Sequence, residues 1–298
     1  MAEPGRNLFW LDVFTDRPLV GNGLAVVLDA DRLIPETMLA FAREVGLSET
    51  TFVQSPEPAA GDSGSGPGAS EPADYRNRIW TVSCEIPFAG HPSLGTAVAV
   101  AIDRGLESAS FIQQTGAGHQ AVEARLEAGA WQASMLQPPA EFGPVAEPQQ
   151  VAAGLGITVG QLDPELSSQV TSTGLPALLV PVRDLDALAG CSPDFGLIGE
   201  IYPDRSLNTY PFVLERGSRT VRARSFGADL AGIEDPATGS AAGPLVAYLQ
   251  DCLDIDSIVV EQGVEMGRPS RIEARMENGA PRVAGAVTLL AAGKVDLP

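Results

Sequence analysis

Cysteine is scarce in this chain of 298 residues: Cys84, Cys191 and Cys252 are the only three, an odd number with no CxxC or CxxH spacing. That pattern argues against a disulfide framework and against a zinc site, and points to a reducing compartment. Basic residues are also short, 19 Lys and Arg against 38 Asp and Glu, for a net charge of −19. A chain so acidic argues against nucleic acid and anionic membrane surfaces as partners. A small anionic substrate remains admissible, because local backbone dipoles outweigh a diffuse global field at short range. Long apolar runs are missing: none approaches the ~20 residues a bilayer span requires. The opening MAEPGRNLFWLDVF lacks a cationic stretch followed by an apolar one, so a cytoplasmic protein is expected.

What is present suits a folded soluble protein, with 44% hydrophobic and 19% charged residues. The length exceeds one typical core, so two domains of roughly 150 residues are expected. NLFWLDVF (7–14) alternates as a strand does, TDRPLVGNG (15–23) turns, and LAVVLDA (24–30) returns as a second strand. PETMLAFAREVG (35–46) predicts a helix opened by Pro35 and closed by Gly46. SETTFVQS (48–55) and YRNRIWTVSCEIP (75–87) predict strands flanking AAGDSGSGPGASEPAD (59–74), a Gly/Ser/Pro-rich surface loop. GHPSLGTAVAVAIDRG (90–105) predicts a helix, 106–136 two or three strands, and the Pro-rich PPAEFGPVAEP (138–148) a domain connector. Further strands are predicted at 175–182, 210–216, 219–227, 257–263, 270–277 and 281–290, with a short helix near 184–189. The expected lobes are therefore 1–137 and 138–285, with a last strand in 286–298 returning to the first.

Two stretches share one design. EIPFAGH (85–91) and EDPATGS (234–240) each place a Glu five residues before a Gly, then a polar residue, then a helix holding a second Gly, Gly95 or Gly243. This repetition predicts an α+β fold of two similar lobes, each an antiparallel sheet wrapped around a central helix, with the active site between them. A helix N-terminus offers unpaired N–H groups and roughly half a positive charge, and Gly90 and Gly239 let a ligand approach the backbone. Two such mouths would cage a small carboxylate.

Side chains near the mouths carry the candidate chemistry. His91 follows Gly90 where the helix dipole favours a neutral imidazole; its alternative is a histidine bonding its own backbone. Asp235 could take a proton or hold an amine, and Ser240 could donate to a carboxylate; their alternatives are an Asx turn and an N-cap. Glu49, in LSETTF, should face a cleft or solvent, and burial there would raise its pKa toward a working acid or base. Its alternative is an ordinary exposed glutamate at a strand start. His119, in TGAGHQ, reads as structural or surface.

LDVFTDRPLVGNGLAVVLDA, GLSETTFV, EIPFAGHPSLGTA, STGLPALLVPV and EDPATGSAAGPLVAYL, in this order, resemble the phenazine-biosynthesis PhzF-like family, which shares the diaminopimelate epimerase fold. The resemblance implies that Glu49 is a proton-shuttling glutamate. It implies that Gly90, His91, Asp235, Gly239 and Ser240 line the pocket, and it assigns Asn22 to substrate binding. It also implies an enzyme without cofactor or metal, a homodimer that moves hydrogens between carbons of small amino or carboxylic acids. Epimerases on this fold use two cysteines, each just before the Gly of a helix mouth; here those places hold Ala89 and Thr238. Cys84 is read instead as a buried strand residue. The expected function is therefore a cofactor-independent isomerase of secondary metabolism with one glutamate, Glu49, as acid and base, assisted by His91 and Asp235. The alternatives are a one-base epimerase or racemase and a non-catalytic small-acid binding protein.

Overall fold

Gly46 sits at φ 67°, a left-handed backbone that suits a residue without Cβ, and ends helix α1 (Pro35–Val45), which Pro35 opens. The computed structural model describes residues 5–57, 72–204, 206–215, 217–227 and 234–298. Most of the loop expected at 59–74, residues 59–71, lies outside the described residues. The chain divides into two compact units, Met1–Pro18 with Gly23–Met135 and Val287–Pro298, and Leu19–Asn22 with Leu136–Ala286.

In the first unit α1 lies among β1 (Arg6–Val13), β2 (Asn22–Val27), β3 (Glu49–Gln54), β4 (Tyr75–Trp80) and the short β5 (Glu85–Ile86). Helix α2 (Gly90–Asp103) follows, then β6 (Ser108–Thr115), β7 (Gly118–Glu127) and β8 (Ala130–Leu136). The single strand predicted at 75–87 is broken, because Thr81 Oγ1 accepts from the N–H groups of Ser83 and Cys84 at 3.1 Å. A hydroxyl that bonds its own backbone competes with the strand ladder. Cys84 is consequently exposed in this turn, not buried in a strand.

The expected antiparallel sheet is corrected to a mixed one. β2 with β3 and β4 with β6 run parallel, whereas β3 with β4, β6 with β7 and β7 with β8 run antiparallel. Helices α1 and α2 are the crossovers that parallel pairing demands. Every residue of α2 from Gly90 to Ala101 is buried, and the helix packs on β1, β3, β4, β6 and β7. A helix apolar all round belongs to a core. Gly95 makes this packing possible: a Cβ there would lie 2.5 Å from Leu24 Cδ2 and 2.9 Å from Val13 Cγ2.

The main segment of the second unit starts at Leu136, two residues before the expected connector, which holds β9 (Glu141–Val145) and, from Pro148, the start of helix α3 (Pro148–Gly154). Next come β10 (Gln169–Ser172), β11 (Pro176–Pro181), α4 (Leu185–Gly190) and α5 (Phe195–Ile201). Asp194 caps α5 by accepting from the amides of Gly196 and Leu197, a start signal the apolar pattern alone did not register. β12 (Asn208–Glu215), β13 (Thr220–Ala223), β14 (Ser225–Gly227) and β15 (Glu234–Asp235) lead into helix α6 (Gly239–Leu253). β16 (Ser257–Gln262), β17 (Ser270–Glu277) and β18 (Ala280–Val295) complete the chain. Here β11 with β12 and β13 with β16 are parallel, while β12 with β13 and β16 with β17 are antiparallel. The order parallel, antiparallel, parallel, antiparallel is the same as along β2, β3, β4, β6 and β7. Helix α6 is buried from Gly239 to Leu249. No helix among the described residues is long and apolar enough to cross a membrane.

Candidate active site

Glu49 and Thr51 share one face of β3, two residues or about 6.6 Å apart. His91 and Thr96 lie five residues or about 7.5 Å apart along α2. These spacings nearly match, and both pairs meet: Thr51 Oγ1 and Thr96 Oγ1 hydrogen-bond at 2.9 Å, and Glu49 Oε2 lies 3.4 Å from His91 Nε2. The threonine pair thus sets the register that brings the imidazole to the carboxyl group. Glu49 is only 9% exposed and His91 4%, so Glu49 is not an ordinary solvent-facing strand-start residue. Burial pulls the His91 pKa down to about 3, which keeps the ring neutral at physiological pH. Desolvation is the cause, where the sequence pointed to the helix dipole. A neutral imidazole can donate to an ionised carboxyl group or, in its other tautomer, accept from a protonated one.

The second mouth is built differently. Thr238 is the N-cap of α6 but its side chain does not cap, and Ala89 at the start of α2 has none to offer, so side chains leave the first amides of both helices uncapped. Ser240 is the second residue of α6 and buried, not the N-cap considered for it. Asp235, 7% exposed on β15, accepts from Asn22 Nδ2 at 2.8 Å and from the Thr238 hydroxyl. Neither is the side-chain-to-main-chain bond of an Asx turn. Burial pushes the Asp235 pKa up to about 6, although the bonds from Thr238 and Asn22 pull it down, and nearby Glu234 adds to the rise. Asn22 Nδ2 also donates to the Ala237 carbonyl at 3.1 Å, which uses both amide hydrogens. The amide nitrogen of Asn22 therefore holds Asp235 and its turn.

The repeated glutamates prove to be braces. Arg78 forms two bonds to Glu85, at 2.8 and 2.6 Å, and lies over the Trp80 ring at 5.6 Å. Arg224 forms two to Glu234, at 2.9 and 2.8 Å, and lies over the Phe226 ring at 4.7 Å. Each brace fixes the short strand that leads into a helix mouth. At α6, Gln137 Nε2 donates to the Gly239 carbonyl at 3.0 Å while its Oε1 accepts from Thr173 at 2.6 Å. A Cβ on Gly243 would fall 1.8 Å from that Oε1, so the second glycine of this mouth is what admits Gln137.

Sequence reasoning missed Thr238 as a donor, and missed Gln262 and Tyr210 entirely. The signal for Gln262 was present: it continues the buried alternation of Ile258 and Val260 in SIVVEQG. A polar residue on a buried period-two face needs a partner.

Comparison with known proteins agrees over nearly the whole chain. The family model for phenazine biosynthesis-like protein, PhzC-PhzF, matches residues 11–293. The trans-2,3-dihydro-3-hydroxyanthranilate isomerase of Pseudomonas aeruginosa is 35% identical over 276 residues, covering 92% of this chain and 91% of that one. The isomerase of the same name from Pseudomonas fluorescens is 33% identical over 281 residues, with 93% and 92% covered. A solved PhzF-family phenazine biosynthesis protein of Bacillus anthracis has a TM-score of 0.81 at 29% identity, covering 98% of this chain and 99% of that one.

Proposed function

The chain belongs to the PhzC-PhzF phenazine biosynthesis-like family as an isomerase, and we propose that it shifts a proton and a double bond within a small unsaturated amino or carboxylic acid. The buried Glu49–His91 contact at 3.4 Å carries this reading. Glu49 removes a proton from a carbon beside the conjugated system and returns it at another carbon. Neutral His91 steadies the carboxyl group through both protonation states. The amides at Gly90 and Gly239 are carboxylate-binding groups in this reading, and Asp235 and Ser240 orient substrate and meet developing charge. Two-thiol chemistry is set aside because Ala89 and Thr238 carry no thiol. A dihydro-hydroxyanthranilate, the substrate class that names the relatives, fits a site of this kind. The enzyme works without a cofactor and as a homodimer, as the resemblance implies.

Turnover in D₂O tests the proposal. The wild-type enzyme should place deuterium on carbon as the double bond moves. Glu49→Gln should lower kcat by ~10²–10⁴, the usual contribution of a placed proton-transfer group, while substrate binding is kept. Near-wild-type turnover in that variant overturns the role of Glu49. An inverted centre without double-bond movement points instead to a one-base epimerase, and a wild-type protein that binds without carbon exchange is a binding protein.

A further inference from the structure

Gln262 ends β16 fully buried, and two of its four hydrogen-bond partners belong to the main chain, which removes any ambiguity in its amide. The Thr238 N–H can only donate, and it faces Oε1 at 3.2 Å. The Asp235 carbonyl can only accept, and it faces Nε2 at 2.7 Å. The remaining partners are then determined. The buried Tyr210 hydroxyl donates to Oε1 at 2.8 Å, and Nε2 gives its second hydrogen to Thr238 Oγ1 at 2.9 Å. All four capacities of the amide are used. Thr238 Oγ1, already accepting from Gln262, directs its own hydrogen to Asp235 Oδ2, while Asn22 donates to Oδ1.

The same amide shapes the backbone. Asp235 C=O and Thr238 N–H stand at the two ends of the Asp-Pro-Ala-Thr stretch, where a closed β-turn would bond them to each other. Gln262 stands between them and bonds each.

We propose that Gln262, with Tyr210 behind it, is a positioning residue: it holds the 235–238 turn open and compels the Thr238 hydroxyl to donate to Asp235, which fixes the orientation and donor set of that carboxyl group. The inference rests on the reading of Asp235 as a substrate-orienting group. Among the described residues, three ionisable neighbours are held in place. Glu234 is bound by Arg224, Tyr210 is kept protonated by burial, and Arg268 donates to the carbonyls of Gly21 and Val20. A donor to the ionised form lowers a carboxyl pKa, so loss of the Thr238 bond must raise that of Asp235.

The carbon-13 titration of the Asp235 carboxyl group, assigned by its disappearance in Asp235→Asn, reads this without substrate. Thr238→Val keeps the side-chain shape and removes the hydroxyl; its Asp235 midpoint should rise by roughly one pH unit. Gln262→Met should raise it likewise, and the acid limb of kcat/KM should follow in both. Thr238→Ser, which keeps the donor, should return the wild-type midpoint. Should Gln262→Met fail to fold, the Thr238→Val and Thr238→Ser pair decides alone. A Thr238→Val midpoint equal to wild type overturns the proposal. If that midpoint stays while Glu49→Gln is inactive, the positioning role falls and the proton-transfer reading stands. If it moves while Glu49→Gln keeps full turnover, the reverse holds.

Discussion

At the scale of single residues, two buried ionisable groups give the protein opposed pH dependences. His91 has its pKa lowered to about 3 in the folded state, against about 6.5 when exposed, so the unfolded chain takes up its proton first. Stability from His91 is therefore present above about 6.5 and lost as pH falls toward 3. Asp235 is raised from 3.8 to about 6, so the folded protein holds that proton more tightly. Its contribution runs the other way, and stability falls as pH rises from about 4 to 6. His91→Gln should therefore narrow the drop in Tm between pH 7 and pH 5, and Asp235→Asn should widen it. Thermal denaturation across that range checks both signs; parallel curves for wild type and variants would show that neither group is linked to folding.

At the scale of elements, the two Arg–Glu braces look alike but differ in weight. Arg78 and Glu85 are 13% and 35% exposed, Arg224 and Glu234 12% and 14%. Arg224 Nη1 also donates to the carbonyls of Leu188, Ala189 and Cys191 at the end of α4, at 3.1, 3.0 and 3.0 Å. Its removal would leave several carbonyls and a half-buried carboxylate unmatched. Arg224→Ala should therefore cost about 3 kcal/mol, near the range for breaking a buried pair, and Arg78→Ala about 1 kcal/mol. Urea denaturation measures both, and equal losses would show that the α4 carbonyls add nothing. The braces were half legible. The spacing from Glu to Gly stood out in each motif, but the arginines lie seven residues before Glu85 and ten before Glu234. No single spacing predicts both.

At the scale of the whole molecule, the last strand has two allegiances. Residues Ala280–Ala284 of β18 pair with β17, whereas Val287–Val295 pair antiparallel with Val13–Arg6 of β1. Val295 and Leu297 pack on the cluster of Val27, Met38, Phe52 and Trp80, and Arg6 donates to the Leu297 carbonyl. Deleting residues 287–298 strips β1 of this partner. Hydrogen exchange should then show β1, α1 and β3 losing protection, with β16 and β17 less affected. Unchanged protection in β1 would mean that the closing strand is dispensable.

Local rules made much of this chain readable in advance. Alternation located most strands, Pro35 and Gly46 bounded a helix, and two Glu-to-Gly motifs marked the helix mouths, because chain sterics and capping act over a few residues. Tertiary structure alone decided which strands run parallel, that Thr81 breaks a strand, that Thr238 serves Asp235 instead of capping its helix, and that Glu49 meets His91. The bond from Asn22 to Asp235 spans 213 positions and that between Thr51 and Thr96 spans 45. Such partners are chosen by the burial of whole elements, which leaves each desolvated polar group to bond with whatever the packing brings within reach.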